Sequence, residues 1–281
     1  MRNKRVCFVE LEIKDQNETK KMKRLDGLTI RGTVSRKAGQ TQAEAKVQVF
    51  NLTKSTIEYL TTFSSPYFKP QAKKKINIYA GYEESGWGRI FSGDITKAIP
   101  TGMPDIILNI EAQSLNADQR TPISYSASDI TAQDLGQSIA NQLGLNYDWQ
   151  ATSTNKIPLF DFLGSKRELI KEFNNLENIT MFEDNGTLKV VDKSPVIKNT
   201  NQAKLINQNS GLIGEVEPDE YGIKFRCLID PSMNCGGWVK TESVKLPSTN
   251  GFYQIYTLDF DFSSRDEQFY CNVYAKAGKQ N

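Results

Sequence analysis

The 281-residue chain contains no histidine. That removes a Ser-His-Asp triad, a Cys-His dyad and every His-ligated metal. Carboxylate, lysine or tyrosine side chains are left for any acid–base chemistry. Cysteine is scarce: Cys7, Cys227, Cys235 and Cys271 are the full set. None stands in a C-x-x-C pair, so a structural zinc site is not expected. Their density is far below that of a small disulfide scaffold, which suits a reducing compartment. Cys7 and Cys271 fall in strand-like runs and read as buried free thiols. No apolar run reaches the roughly 18–20 residues of a membrane span. Residues 1–5 are basic, but Glu10 and Glu12 interrupt the following run, so no signal peptide and no membrane insertion are expected.

A strong net charge is missing as well. Lys+Arg number 35 against 33 Asp+Glu, a balance of +2, so the whole chain makes no strong claim on nucleic acid or membrane. The charge is unevenly spread: residues 1–75 hold 17 Lys+Arg and 7 Asp+Glu, a net +10, and the remainder is −8. The basic residues gather at Lys20-Lys21-Met22-Lys23-Arg24 and Lys73-Lys74-Lys75. Without interleaved aromatics these read as solvated loops or as a face for an acidic protein partner. Hydrophobic residues are 38% and charged residues 24%, the balance of a folded globular chain, and the length allows about two domains.

What is present is period-two alternation. Val9, Leu11 and Ile13 alternate, as do Leu28 and Ile30, Val47 and Val49, Ile76 and Ile78, and Ile106, Leu108 and Ile110. One face packed and one face wet predicts antiparallel sheet over residues 6–112. A short helix interrupts it, with Thr53 as cap and Ile57 and Leu60 on one face. Residues 128–193 change character. Thr131-Ala-Gln-Asp134 and Ser165-Lys-Arg-Glu168 open two helices. Leu135, Ile139 and Leu143 line the first, with Gly144 as its stop; Leu169, Phe173 and Leu176 line the second. Asn185-Gly186 joins two strands as a hairpin, and residues 145–149 read as a further strand. Residues 194–208 are polar and Asn-rich, a linker. Strand signals return at 223–229, 238–244, 252–262 and 267–275. The expected class is α+β, mainly β: a β-barrel domain at 1–120, an α+β module with two helices and a hairpin at 121–204, and a second β-barrel domain at 205–281. No tandem repeat of short period is visible.

Chemistry-bearing clusters are few. Asp259, Asp261 and Asp266 crowd one stretch, but the EF-hand positions for Gly and Glu hold Ser264 and Tyr270, and strand alternation accounts for them better. Glu215, Glu217, Asp219 and Glu220 form an acidic run that a two-carboxylate hydrolase would use only with a spaced partner. The Gly-rich stretch from Gly81 to Gly88 lacks a phosphate-cradle order and reads as a hairpin tip. No catalytic residue, metal site, cofactor or small-molecule substrate is expected. Exposed Trp87, Trp149 or Trp238 would suit a carbohydrate- or receptor-binding module.

Several phrases occur in a telling order. Val47-Gln-Val-Phe-Asn-Leu-Thr53 precedes Ile76-Asn-Ile-Tyr-Ala-Gly-Tyr82, Ile90-Phe-Ser-Gly-Asp-Ile95 and Asp105-Ile-Ile-Leu-Asn-Ile-Glu-Ala112. Then come Ser210-Gly-Leu-Ile-Gly214, Gly222-Ile-Lys-Phe-Arg-Cys-Leu-Ile-Asp-Pro231 and Gly236-Gly-Trp-Val239. This succession resembles the baseplate hub proteins of tailed bacteriophages, relatives of the head of type VI secretion spikes. The residues that carry the likeness are Asn51, Leu52, Gly81, Tyr82, Phe91, Gly93, Gly211, Leu212, Ile213, Gly214 and Pro231. Their glycines would mark turns or close backbone approach. The resemblance implies tail-tube-like barrels and a non-enzymatic homotrimer. Its ring would adapt a sixfold tail tube to a threefold central spike. Its partners would be the tail tube protein, the spike and other baseplate components, in the virion tail after assembly in the host cytoplasm. Two departures stand out. Many relatives carry a His in the last strands, where this chain has Leu258-Asp-Phe-Asp-Phe262, and no fused lysozyme-like domain is expected, so any cell-wall hydrolysis would lie in another protein.

Overall fold

The computed structural model describes residues 4–14, 20–25, 27–62, 73–102, 106–115, 122–176, 178–197 and 202–279. The first third supplies β1 (Arg5–Lys14), β2 (Lys20–Leu25), β3 (Ile30–Lys37), β4 (Glu44–Phe50), α1 (Lys54–Leu60), β5 (Lys75–Tyr82), β6 (Gly86–Thr101) and β7 (Ile107–Gln113). The middle holds β8 (Ile123–Thr131), α2 (Ala132–Leu143), β9 (Asn146–Trp149), β10 (Lys156–Gly164), α3 (Lys166–Phe173), β11 (Ile179–Asp184) and β12 (Thr187–Asp192). The last third adds β13 (Lys204–Ile206), β14 (Leu212–Asp219), β15 (Gly222–Leu228), β16 (Trp238–Thr241), β17 (Gly251–Ser263) and β18 (Phe269–Ala277).

The class is mainly β, as the alternation predicts, but closure is not seen. Strands from both ends of the chain form one 13-stranded sheet in the order β14-β15-β18-β17-β3-β4-β7-β6-β5-β1-β2, with β16 on β17 and β13 on β16. No ladder among the described residues closes either half into a barrel. The two halves instead join edge to edge, Thr257–Ser263 of β17 running antiparallel to Arg31–Lys37 of β3. A single apolar core spans the join, from Val9, Leu11, Val47 and Ile78 to Leu258, Phe260 and Val273, all at most 1% exposed.

The middle segment has its own core of Leu135, Ile139, Leu169, Phe173, Met181 and Val190. The helix starts are realised as read; α3 ends at Phe173, so Leu176 packs on the middle core from just beyond it. Thr53, Thr131 and Ser165 are the N-caps. Ser165 and Glu168 form a full capping box, with Glu168 Oε2 accepting from the Ser165 N–H at 2.8 Å. Asp134 is one methylene shorter and takes the Thr131 hydroxyl at 2.7 Å instead. Asn185 (φ 53) and Gly186 (φ 91) turn the β11–β12 hairpin, and β9 joins β12 in parallel.

One reading changes, and two elements go beyond what was read. Lys20–Leu25 is not a loop but the edge strand β2, exposed along Lys20 to Arg24, where charge keeps an open edge from promiscuous pairing. Glu215, Glu217 and Asp219 of the acidic run lie on a strand, β14, and Glu220 in the turn after it. The ribbon of β8 and β10 gave no clear sequence signal, because Pro158 and exposed Leu159 and Leu163 break its alternation. Replacing the Ser165 cap should cost about 1 kcal/mol, so Ser165→Ala should lower the denaturant midpoint by that energy divided by the slope, with the slope unchanged.

Candidate functional site

The most heavily charged place in the interior lies where the three segments meet. On β3, Val34 and Arg36 face the core while Thr33 and Ser35 face water, so alternation drives Arg36 inward. The β11–β12 hairpin has both faces covered: Met181, Leu188 and Val190 join the middle core, and Phe182 and Val191 join the large one. Asp184 and Lys189 lie on this second face. Arg36 Nε donates to Asp184 Oδ1 at 2.6 Å, and Lys189 Nζ stands 3.2 Å from Asp184 Oδ2. The turn after β15 completes the cluster. Asn234 Oδ1 accepts from Arg36 Nη2 at 3.1 Å, the Cys235 carbonyl accepts from Lys189 at 3.2 Å, and Cys235 Sγ donates to the Arg36 carbonyl at 3.4 Å. Arg36 and Asp184 are each 2% exposed.

Burial pulls the Arg36 pKa down, but Asp184, with Cys235 and Glu183 behind it, holds it above its ordinary value. Burial drives the Cys235 thiol far up. On the other face of the hairpin, burial raises the Glu183 pKa against hydrogen bonds from Ser114 and the Gly186 N–H. Arg36 Nη1 and Glu183 Oε2 have no hydrogen-bond partner, so the cluster is costly as well as cohesive. Nothing in it resembles a nucleophile aligned with a base. All four cysteines are free thiols, and burial lifts Cys7 to about 12.

Most of the carboxylates singled out from sequence are engaged by neighbours. Glu215 pairs with Lys245 at 3.0 Å and Glu217 with Lys224 at 3.0 Å, and Asp219 accepts from the Tyr256 hydroxyl at 2.8 Å. Asp259 accepts from Ser35 at 2.6 Å and Asp261 from Asn272 at 3.1 Å; burial, then Asp259, raises Asp261. No group of three or more His, Cys, Asp or Glu residues among the described ones is placed to hold a metal. Trp87 is half exposed, set edge-on to Phe8 and Tyr79. Trp149 and Trp238 line one cleft of about 540 Å³. The acids there are engaged, Asp148 by Gln150 and Asp192 by Thr152.

The motif residues do not converge on one point. Asn51 (φ 58) ends β4 and donates to the Ile106 carbonyl, and Leu52 is buried beside it. Gly81 has no room for a side chain, because a Cβ would lie 2.5 Å from the Gly86 carbonyl. Gly93 is equally tight against the Gln113 carbonyl and the Phe91 ring. Tyr82 stacks edge-on with Phe269 of the other half, and Pro231 lies against Gly88. Gly211 (φ 96) leads into Leu212 and Ile213 on β14, and Gly214 (φ 81) sits at that strand's bulge.

The sequence reading missed a repeat of architecture. Strands β3, β4, β5, β6 and β7 lie in the spatial order β3-β4-β7-β6-β5, and β14 to β18 lie in the order β14-β15-β18-β17-β16. Chain order and sheet order match element by element. The long bent strands β6 and β17 both carry a bulge at the same place, after Ile95 opposite Ala112 and after Ile255 opposite Ala275. Beyond it, Ala98–Ile110 and Ile99–Asn109 correspond to Leu258–Val273 and Asp259–Asn272. The middle segment separates the copies, and only the shared Ile–Ala and Asn positions remain as a sequence trace.

The match to known proteins follows this architecture. The family described as baseplate hub gp41 matches residues 7–275. The chain belongs to that family. No curated protein matches it. Among solved structures the hub is similar to a 43 kDa tail protein of prophage MuSo2 from Shewanella oneidensis (10% identity, 96% of each chain, TM-score 0.60). A tail protein from Neisseria meningitidis MC58 is also similar (7%, 96% of each chain, TM-score 0.62). So is the E. coli c3393 protein, a type VI secretion component described as similar to the T4 tail proteins gp27 and gp5 (10%, 90% and 73%, TM-score 0.57). The hub is thus a structural component of a phage tail baseplate.

Removing one partner of the buried cluster strands the others. Asp184→Ala should cost about 3–5 kcal/mol, whereas joint replacement of Arg36, Asp184 and Lys189 by apolar residues of similar volume should cost far less; urea unfolding distinguishes the two. Glu183 has a folded-state pKa above its ordinary 4.5. The folded state therefore holds the proton more tightly, and the penalty of ionising it grows as pH rises. Glu183→Gln should be more stable than the parent at pH 7, with the gain shrinking as pH falls toward 4.5, measured as unfolding midpoints across that range.

Proposed function

We propose that three copies of the hub form a ring joining a sixfold tail tube to a threefold central spike. The repeated half-sheet is the observation that supports this. Each chain brings two five-strand units of one topology, so three chains bring six, the number a hexameric tube presents. The chain itself repeats only three times, which suits a trimeric spike. In this reading residues 1–120 and 205–281 supply the tube-like units and residues 121–204 brace them from one side.

The polar face of the sheet suits a channel wall. Arg31, Gln48 and Asn109 link β3, β4 and β7 by hydrogen bonds of 2.5 and 2.7 Å. Arg226, Asn272 and Asp261 continue the pattern across β15, β18 and β17 at 3.0 and 3.1 Å. The partners would be the tube protein, the spike and further baseplate components, with no catalytic role for the hub. The basic β2 edge offers an acidic partner a salt-sensitive encounter.

Imaging of assembled tails tests the reading. Three copies at the tail axis, between tube and spike, are expected; six or more copies at the periphery would overturn it. Purified hub should release no product from peptidoglycan or polysaccharide. Hydrolysis that disappears in Glu215→Gln or Glu217→Gln would establish a carboxylate enzyme instead.

A further inference from the structure

Asn-Gly is the step at which an asparagine side chain is most readily attacked by the next backbone nitrogen, because glycine puts no Cβ in the way. It occurs twice in the chain, at Asn185-Gly186 and at Asn250-Gly251. In that reaction the glycine nitrogen gives up its proton and bonds to the asparagine Cγ. The side-chain nitrogen leaves with that proton as ammonia, and a five-membered succinimide remains. Water then opens the ring at one carbonyl or the other, giving Asp or iso-Asp, whose backbone runs through the side chain. Burial does not shield either site: Asn185 is half-buried and Asn250 is exposed.

Both side chains are instead held at two points. Asn185 Oδ1 accepts from Arg89 Nε at 3.2 Å, and Asn185 Nδ2 donates to the Arg89 carbonyl at 2.9 Å. Arg89 Nη2 also donates to the Asn185 carbonyl at 3.2 Å. The attacking group is held as well, since the Gly186 N–H donates to Glu183 Oε1 at 2.6 Å. At the second site Asn250 Oδ1 accepts from the Ser243 N–H at 2.6 Å, and Asn250 Nδ2 donates to the Ser243 carbonyl at 3.2 Å. We propose that these two-point contacts are clamps that keep both Asn-Gly steps from closing to succinimide in the folded hub. Closure has to bring Cγ within bonding reach of the next nitrogen. That movement breaks both hydrogen bonds of the amide together, and at Asn185 it also costs the Gly186–Glu183 bond.

The β11–β12 hairpin shows what a clamp spares. Its turn consists of Asn185 and Gly186 alone, both at positive φ, between the paired Asp184 and Thr187. An iso-Asp there adds a carbon to the backbone of a two-residue turn, whose geometry sets the strand register. Asp184, one residue away, carries the contacts to Arg36 and Lys189. Either product also places a new carboxylate beside Glu183, whose pKa burial already raises. A component of an assembled tail is not replaced by new synthesis, so slow chemistry of this kind accumulates over the life of the particle.

Peptide mass spectrometry on hub aged in mildly alkaline buffer tests the clamps, with the Asn, Asp and iso-Asp forms separated by chromatography. In the folded hub both sites should convert at least about tenfold more slowly than in the same chain held unfolded in urea. Conversion of either site at the unfolded rate overturns the proposal. Arg89→Ala should raise conversion at Asn185 about tenfold and leave Asn250, which other residues hold, at the parental rate. An unchanged rate at Asn185 overturns the proposal, and so does equal acceleration at both sites, which is general loosening. Should Arg89→Ala fail to fold, Arg89→Met decides by the same two rates, because it keeps the apolar stem and loses every donor.

Discussion

Arg36 sits where three distant stretches of the chain come together, and the fold has to neutralise it there. Its position is forced by strand alternation, since Val34 and Arg36 share the inward face of β3. A guanidinium removed from water costs several kcal/mol unless it is paired. Asp184 from the middle hairpin supplies the charge, and Asn234 from the second unit accepts a further hydrogen bond. Lys189 then balances the second carboxylate oxygen and ties the Cys235 carbonyl. The β17–β3 ladder sets one sheet unit against the other, and the directional charge cluster adds hydrogen bonds that tie the hairpin to both.

That placement explains why the middle segment is not a bystander. Its hairpin is buried on both faces and belongs to two cores at once, through Met181 and Val190 on one side and Phe182 and Val191 on the other. Asn185 extends the attachment beyond the core. Arg89, on the β5–β6 hairpin, donates to Asn185 Oδ1 at 3.2 Å, and the Asn185 amide donates back to the Arg89 carbonyl at 2.9 Å. The Asn-Gly turn, needed for its positive φ angles, therefore also supplies a docking contact.

Much of this was legible in the residues. Caps, helix faces, the hairpin turn and most strands follow from local rules, because each depends on neighbours a few positions away. Order of phrases was enough to point to the hub family. The charge cluster was not legible, since Arg36, Asp184 and Asn234 are linked only by tertiary packing and each alone resembles a surface residue. The repeat was hidden for a related reason. Strand order, not sequence, was kept: Val47 corresponds to Phe225, Val49 to Cys227 and Leu108 to Cys271. Any apolar side chain of suitable size satisfies the inward face of a strand. Expecting closed barrels followed from treating each half as self-sufficient, whereas β17 and β3 satisfy each other's edges.

The β17–β3 seam forms with its chain, by a seven-pair ladder over a shared core, and is reinforced by the Ser35–Asp259 hydrogen bond at 2.6 Å. Along it each half lends the other a strand edge, so the backbone groups of β3 and β17 that face each other are satisfied only when both halves are in place. The apolar core that crosses the join, from Val47 and Ile78 to Phe260 and Val273, adds burial that neither half has alone. The two units are therefore coupled through both backbone and core, although the middle segment, whose hairpin packs against them both, stands between them in sequence.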